Sequence, residues 1–204
     1  GDPGIDRTMF ELLKRYADEG RLSARIYAMI SNTGDDFDAI SQGGPLIGYG
    51  RDTLTVRSVK LYADGALGSR GAALLAPYAD APGNRGLLFQ TPEALTAMMA
   101  KALAKGYQVN VHAIGDAANR EALDAFAVAY KTSGGMPLRN RIEHVQVVAL
   151  DDFPRFVELG IIASMQPTHA TSDMNMAENR VGPERIKGAY AWRRFLQQGT
   201  RIAA

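Results

Sequence analysis

The chain alternates short β-branched runs with segments whose apolar residues recur every three or four positions. Residues 6–18 read as a helix. Asp6 can cap it, Met9, Leu12, Leu13 and Tyr16 recur at helical spacing, and Gly20 suits the left-handed position past its end. A strand follows over 24–30, then a short acidic segment at 35–40 and the structure-breaking Gly43-Gly44-Pro45. Residues 53–62 form a second strand with Lys60 near its end. Residues 63–89 carry Gly65, Gly68, Gly71, Pro77, Pro82, Gly83 and Gly86, and their length predicts a functional loop or lid. Thr91-Pro92-Glu93 starts a helix with a capping hydroxyl, proline in the first turn and an acid beside it. Leu95, Met98, Met99, Ala102 and Leu103 form its buried stripe, and Gly106 ends it.

The second half repeats the alternation. A strand over 107–111 leads to His112, and a helix over 117–131 turns Leu123, Phe126, Ala127 and Tyr130 inward. A strand over 141–145 contains Glu143-His144. Asp151 caps a short helix that Gly160 stops, and a strand over 161–165 leads to His169. Residues 170–188 read as loop. Residues 189–198 read as a helix with Trp192, Phe195 and Leu196 inward, and 200–203 as a last strand. Strand, loop, helix, strand predicts an α/β fold with a parallel sheet covered by helices. Right-handed crossovers make this either an open doubly wound sheet or a (β/α)8 barrel. The absence of Gly-x-Gly-x-x-Gly after a strand weakens the dinucleotide-binding version.

Composition narrows the partners. Lys plus Arg number 23 and Asp plus Glu 22 in 204 residues, so no basic field exists to recruit nucleic acid or an anionic membrane. No apolar run approaches the ~20 residues of a membrane span, and residues 1–20 lack a signal peptide's apolar core; the compartment is unassigned, cytoplasmic only by default, since any export signal is expected upstream of these residues. With no cysteine, disulfides, thiolate metal sites and thiol nucleophiles are excluded.

Three histidines remain, and all fall at or just past strand ends: His112, His144 and His169. Lys60 does the same. In a barrel these ends form one rim, and two neutral imidazoles from adjacent strands suit a divalent metal such as zinc. Taken singly, each histidine reads equally as a hydrogen-bonded loop residue, and Lys60 as a snorkelling or ion-paired side chain. Asp64, Asp116 and Glu143 read as turn caps or arginine partners.

Four motifs in order carry a family resemblance. Val59-Lys60-Leu61-Tyr62-Ala63-Asp64-Gly65-Ala66-Leu67-Gly68-Ser69-Arg70-Gly71-Ala72 resembles the strand-4 motif of the YtcJ-like branch of the amidohydrolase superfamily, which includes N-substituted formamide deformylase. Val111 to Asp116 resembles its strand-5 motif, Arg141 to Gln146 strand 6, and Ser164 to His169 strand 7. The resemblance implies a metal-dependent hydrolase on a TIM barrel. It implies that Lys60 reacts with carbon dioxide to give a carbamate bridging two metal ions, and that His112 and His144 hold the second of them. It further implies that Arg70 and His169 contact substrate and that Asp116 orients the His112 ring. The implied chemistry is hydrolysis of a C–N bond in a small amide, N-formyl compound, carbamate or cyclic amide by metal-activated water.

The family also has a His-x-His pair on strand 1 and an aspartate on strand 8, and neither occurs in this sequence. Six predicted strands correspond to strands 3–8, whereas a barrel of this kind has eight strands and about 250 residues. Residues 1–204 are therefore expected to be the central part of one catalytic barrel domain, without strands 1–2, the end of strand 8 or the flanking β domain. Open sheet edges then favour homo-oligomerisation, and the isolated chain is expected to be inactive and to bind metal weakly. Two rival readings stand beside this one. One is a non-catalytic α/β binding domain with incidental histidines. The other is a mononuclear zinc hydrolase in which Lys60 stays an ordinary lysine.

Overall fold

The computed structural model describes residues 4–204. Helix α1 (Arg7–Asp18) starts where the Asp6 carboxylate accepts the Met9 N–H at 2.7 Å. It gives way through Gly20, in the left-handed region, to strand β1 (Ile26–Ser31). Helix α2 (Asp35–Ile40), strand β2 (Leu46–Gly48) and a left-handed turn α3 (Tyr49–Asp52) precede the long strand β3 (Leu54–Tyr62). Then follow α4 (Pro92–Ala104), β4 (Gln108–Ala113), α5 (Asp116–Ser133), β5 (Arg141–His144), α6 (Phe153–Glu158) and β6 (Ile162–Ser164). The chain continues through α7 (Pro167–Asp173), α8 (Ala177–Arg185), α9 (Trp192–Gln197) and β7 (Ile202–Ala203).

The sheet order is β1-β3-β4-β5-β6-β7, every pair parallel, with β2 antiparallel on β3. Six parallel strands in sequence order, with helices between them, form a partial (β/α)8 barrel, one of the two arrangements the alternation allows and the one the family resemblance implies. A single parallel bridge, Ile5 to Ile30, continues the sheet past β1.

Alternation along the strands separates two environments. Val59, Leu61, Val109, Val111 and Ile142 are buried in one core with Leu95, Met99 and Leu103 of α4 and Leu123 and Phe126 of α5. The intervening positions are polar. Register sets Lys60 against Asn110 and Asn110 against Arg141, and one step further Tyr62 against His112 and His112 against Glu143. Arg141 Nε donates to Asn110 Oδ1 at 2.9 Å and lies 2.8 Å from Glu143 Oε1. The face carrying His112 is thus lined with hydrogen-bonding groups, and buried polar groups of this kind require partners.

Several expectations need correction. Residues 170–188 are mostly helical rather than loop. They lack an apolar stripe, and Gly182-Pro183 breaks α8, with Gly182 at φ +81. Helix α2 and strand β2 lie where only an acidic segment and a Gly-Gly-Pro breaker were legible. Leu196 is 65% exposed, so it does not face inward. Asp151 does not cap α6, which follows a 3-10 turn at Leu150–Asp152 with no side-chain cap.

The 63–89 segment contains no helix or sheet strand, yet it is a packed unit. Leu67, Ala72, Leu74 and Tyr78 form a second core with Ile114, Val147, and Ala177 and Val181 of α8. Arg185 donates to the carbonyls of Ala76 and Pro77, and Asp80 accepts from both Arg70 and Arg180. Two βα connections are therefore fastened to each other beside the rim of the sheet.

Candidate metal centre

Strand register places the chemistry. Tyr62 pairs with His112, and Ala113 with His144, so the ends of β3, β4 and β5 advance together around the rim. The His112 and His144 ring centroids are 4.6 Å apart, edge to face, and the His144 and His169 rings stack at 5.6 Å. All three histidines form one row. His169 stands in the first turn of α7, three residues after Gln166 at the helix N-cap.

Each of the first two rings is held at one nitrogen. His144 Nδ1 is 2.7 Å from Gln166 Oε1, so the ring donates there to the carbonyl of the amide. His112 Nε2 is 3.4 Å from Asp64 Oδ1 and 3.5 Å from the Gly65 carbonyl. His169 Nδ1 is buried with no hydrogen-bond partner among the described residues. The backbone also contributes. His144 and Val145 both adopt left-handed φ, +78° and +48°, and the Val145 N–H donates to Ala113 O at 3.1 Å. Left-handed backbone at a β-branched residue is an outlier of the kind that collects at functional sites.

Lys60 is fully buried, with Nζ 4.9 Å from the Tyr62 ring centroid, and Tyr62 in turn lies 5.6 Å from the His112 ring. The remaining sequence candidates lie in other contacts. Arg70 makes a bidentate ion pair with Asp80, through Nε at 3.1 Å and Nη2 at 2.9 Å, which engages its guanidinium within the packed loop. Asp116 Oδ1 accepts the N–H groups of Leu75 and Ala117. The carboxylate beside His112 is Asp64 instead, because Asp64 follows a strand in register with β4 whereas Asp116 turns away as the first residue of α5.

Asp64 is 1% exposed and accepts backbone N–H groups from Ala73, Ile114 and Gly115. Burial pushes its carboxyl up to about 7, against the three hydrogen bonds that favour its charged form. The sequence offered Asp64 only as a turn cap or arginine partner and gave Gln166 no separate signal. Their contacts with the rings follow from the connection after one strand meeting the end of its neighbour.

The donor set suits a divalent metal: two imidazoles from neighbouring strands, each fixed at one nitrogen, next to a buried lysine. Among the described residues no three His, Cys, Asp or Glu side chains converge as a preformed cage. Among them, too, no helix is long and apolar enough to cross a membrane.

The chain is similar to known proteins in sequence and in fold. The chain is 37% identical over 151 residues to the protein LONG AFTER FAR-RED 3 of Arabidopsis thaliana, covering 74% of this chain and 26% of that one. It is 34% identical over 156 residues to the "Putative amidohydrolase YtcJ" of Bacillus subtilis, covering 76% and 28%. The crystal structure of an uncharacterized metal-dependent hydrolase from Pyrococcus furiosus matches 95% of this chain and 39% of its own, with 35% identity and a TM-score of 0.82. The chain thus spans about a quarter of the length of the curated relatives it matches. The amidohydrolase family matches residues 2–204, and the chain belongs to that family.

Proposed function

We propose that this chain is the central part of the catalytic barrel of a metal-dependent hydrolase that cleaves C–N bonds in small amides, N-formyl compounds, carbamates or cyclic amides. The observation that carries the reading is the row His112–His144–His169 along the ends of β4 to β6, beside Lys60 on β3. Lys60, His112 and His144 would hold the metal, zinc being the ion best matched to this donor set, as one ion or two. When bound, the metal polarises the substrate carbonyl and lowers the pKa of a water molecule.

The chain's own groups do the rest. Loss of a proton from the Lys60 ammonium, addition of the free amine to the carbon of carbon dioxide, and loss of a second proton to water would turn a cationic side chain into an anionic oxygen donor, which a centre of cationic metal needs. Gln166 and the Asp64–Gly65 segment hold the two ligand rings. His169, with Nδ1 unsatisfied, would bind substrate polar groups, and Arg70 would act from the packed loop. One contact favours a second reading, a single metal with Lys60 unmodified: the Lys60–Tyr62 geometry suits an ammonium over an aromatic ring.

The test is metal analysis and amidase assay of the full-length protein with Lys60→Ala and His112→Ala. Both variants are expected to lose metal and turnover. Full metal content and rate in both would overturn the reading, and reconstitution independent of carbon dioxide would favour the unmodified lysine.

A further inference from the structure

We infer that Asp64 is the positioning residue of His112, holding the ring's proton on Nε2 and tying the 63–89 loop to the turn that follows the histidine. The inference deepens the proposed function and rests on its reading of His112 as a ligand.

Asp64 lies two residues past β3. Its Oδ2 accepts the Ala73 N–H at 2.9 Å and the Gly115 N–H at 2.8 Å. Its Oδ1 accepts the Ile114 N–H at 2.9 Å and stands 3.4 Å from His112 Nε2. Ala73 belongs to the long loop, while Ile114 and Gly115 directly follow β4. One carboxylate therefore joins two βα connections, and the histidine ring meets it at the joint. A carboxylate offers about four lone-pair sites, and here four donors face it.

The same ring nitrogen also faces the Gly65 carbonyl at 3.5 Å. Two acceptors from consecutive residues at one nitrogen favour the tautomer with the proton there and the ring lone pair on Nδ1. Asp116 supplies the internal comparison. It is also buried and also accepts two backbone N–H groups across the loop and turn, but it meets no ring. A carboxylate that only pins loops would behave as Asp116 does.

The experiment labels the full-length, metal-free protein with 15N-histidine at one pH above the imidazole range, using His112→Asn to assign the signal. Wild type and Asp116→Asn are expected to show His112 protonated on Nε2. Asp64→Asn, which replaces an acceptor oxygen by a donor, is expected to redistribute the tautomers. It should also weaken zinc affinity, read by chelator competition, on the order of 10- to 100-fold, with Asp116→Asn staying near wild type. A folded Asp64→Asn protein with the wild-type tautomer and zinc affinity would overturn the inference. So would a wild-type His112 protonated on Nδ1, a result that needs no variant to fold. If wild type binds no zinc at all, the proposed function fails while the tautomer comparison still decides the role of Asp64.

Discussion

Replacing Gly115 by alanine should destabilise the protein through a single backbone collision. Gly115 sits at ordinary extended angles, φ −77° and ψ 159°, so an L side chain fits its conformation. The space does not exist: an added Cβ would meet the Ala73 carbonyl oxygen at 1.9 Å, its carbon at 2.6 Å and its nitrogen at 2.8 Å. These are backbone atoms, so no rotamer change relieves the contact. The 63–89 loop and the turn after β4 must separate by about 1 Å, an overpacking cost of about 1–3 kcal/mol. That separation acts along the Gly115–Asp64 bond at 2.8 Å and the Ala117–Ala73 bond at 3.1 Å, each worth about 1 kcal/mol and the one to a carboxylate somewhat more. Reduced freedom of the unfolded chain returns only about 0.4–1 kcal/mol. The net is a loss of about 3 kcal/mol. With a urea slope of about 1–3 kcal/mol per molar, the midpoint should fall by roughly 1–3 M in denaturation followed by circular dichroism. Gly83→Ala, with nothing within 4 Å of the added carbon, is the control and should leave the midpoint nearly unchanged. If Gly115→Ala unfolds at the same urea concentration as Gly83→Ala, the two connections are not locked together as described.

Other consequences test separate parts of the structure. Glu121 is buried on α5 with Oε1 lacking a hydrogen-bond partner among the described residues, and burial raises its carboxyl above the ordinary range. Its folded form resists ionisation, so its contribution is fully present below the unfolded value near 4.3 and is lost as pH rises past it. Glu121→Gln should therefore raise the urea midpoint more at pH 8 than at pH 4.5, and an equal gain at both would contradict this account. The Arg70 guanidinium holds the Asp80 carboxyl below the usual range, so that tie should persist through mild acid and weaken only as pH falls through the depressed value. Asp80→Asn removes it at every pH. Amide exchange should accelerate in residues 63–89 and in α8 with the sheet amides unchanged, and unchanged loop protection would show that the two arginines contribute nothing there.

The parallel sheet was legible because short runs with apolar residues alternate with glycines and helix-start signals along the chain. Thr91, whose hydroxyl accepts the Ala94 N–H at 3.2 Å, and Asp6 announced their helices directly. What escaped lacks a periodic signal. Helices α7 and α8 are polar, α8 is interrupted at Gly182, and α8 is held by packing Ala177 and Val181 against the 63–89 loop, a long-range contact. The row of histidines could be anticipated from strand ends alone. The partners of those rings could not, since pairing His144 with Gln166 or His112 with Asp64 requires knowing that adjacent strands run level. Asp116, nearest to His112 in sequence, was the natural choice for that role, but the start of α5 directs it to Leu75.

The left-handed step at His144 and Val145 has a consequence for how this protein can change. Each such residue costs on the order of 1–3 kcal/mol relative to relaxed backbone. Glycine at either position would release that energy at once, and asparagine would at 144. A population selected only for heat resistance should therefore accumulate those replacements and shed the imidazole at 144 early. If His144 is a metal ligand as proposed, a population selected for turnover should keep the imidazole and seek its stability elsewhere, in the helices that face solvent. Under the proposed function, in which His144 holds the metal, the bend marks a place where survival of the fold and survival of the chemistry are selected in opposite directions.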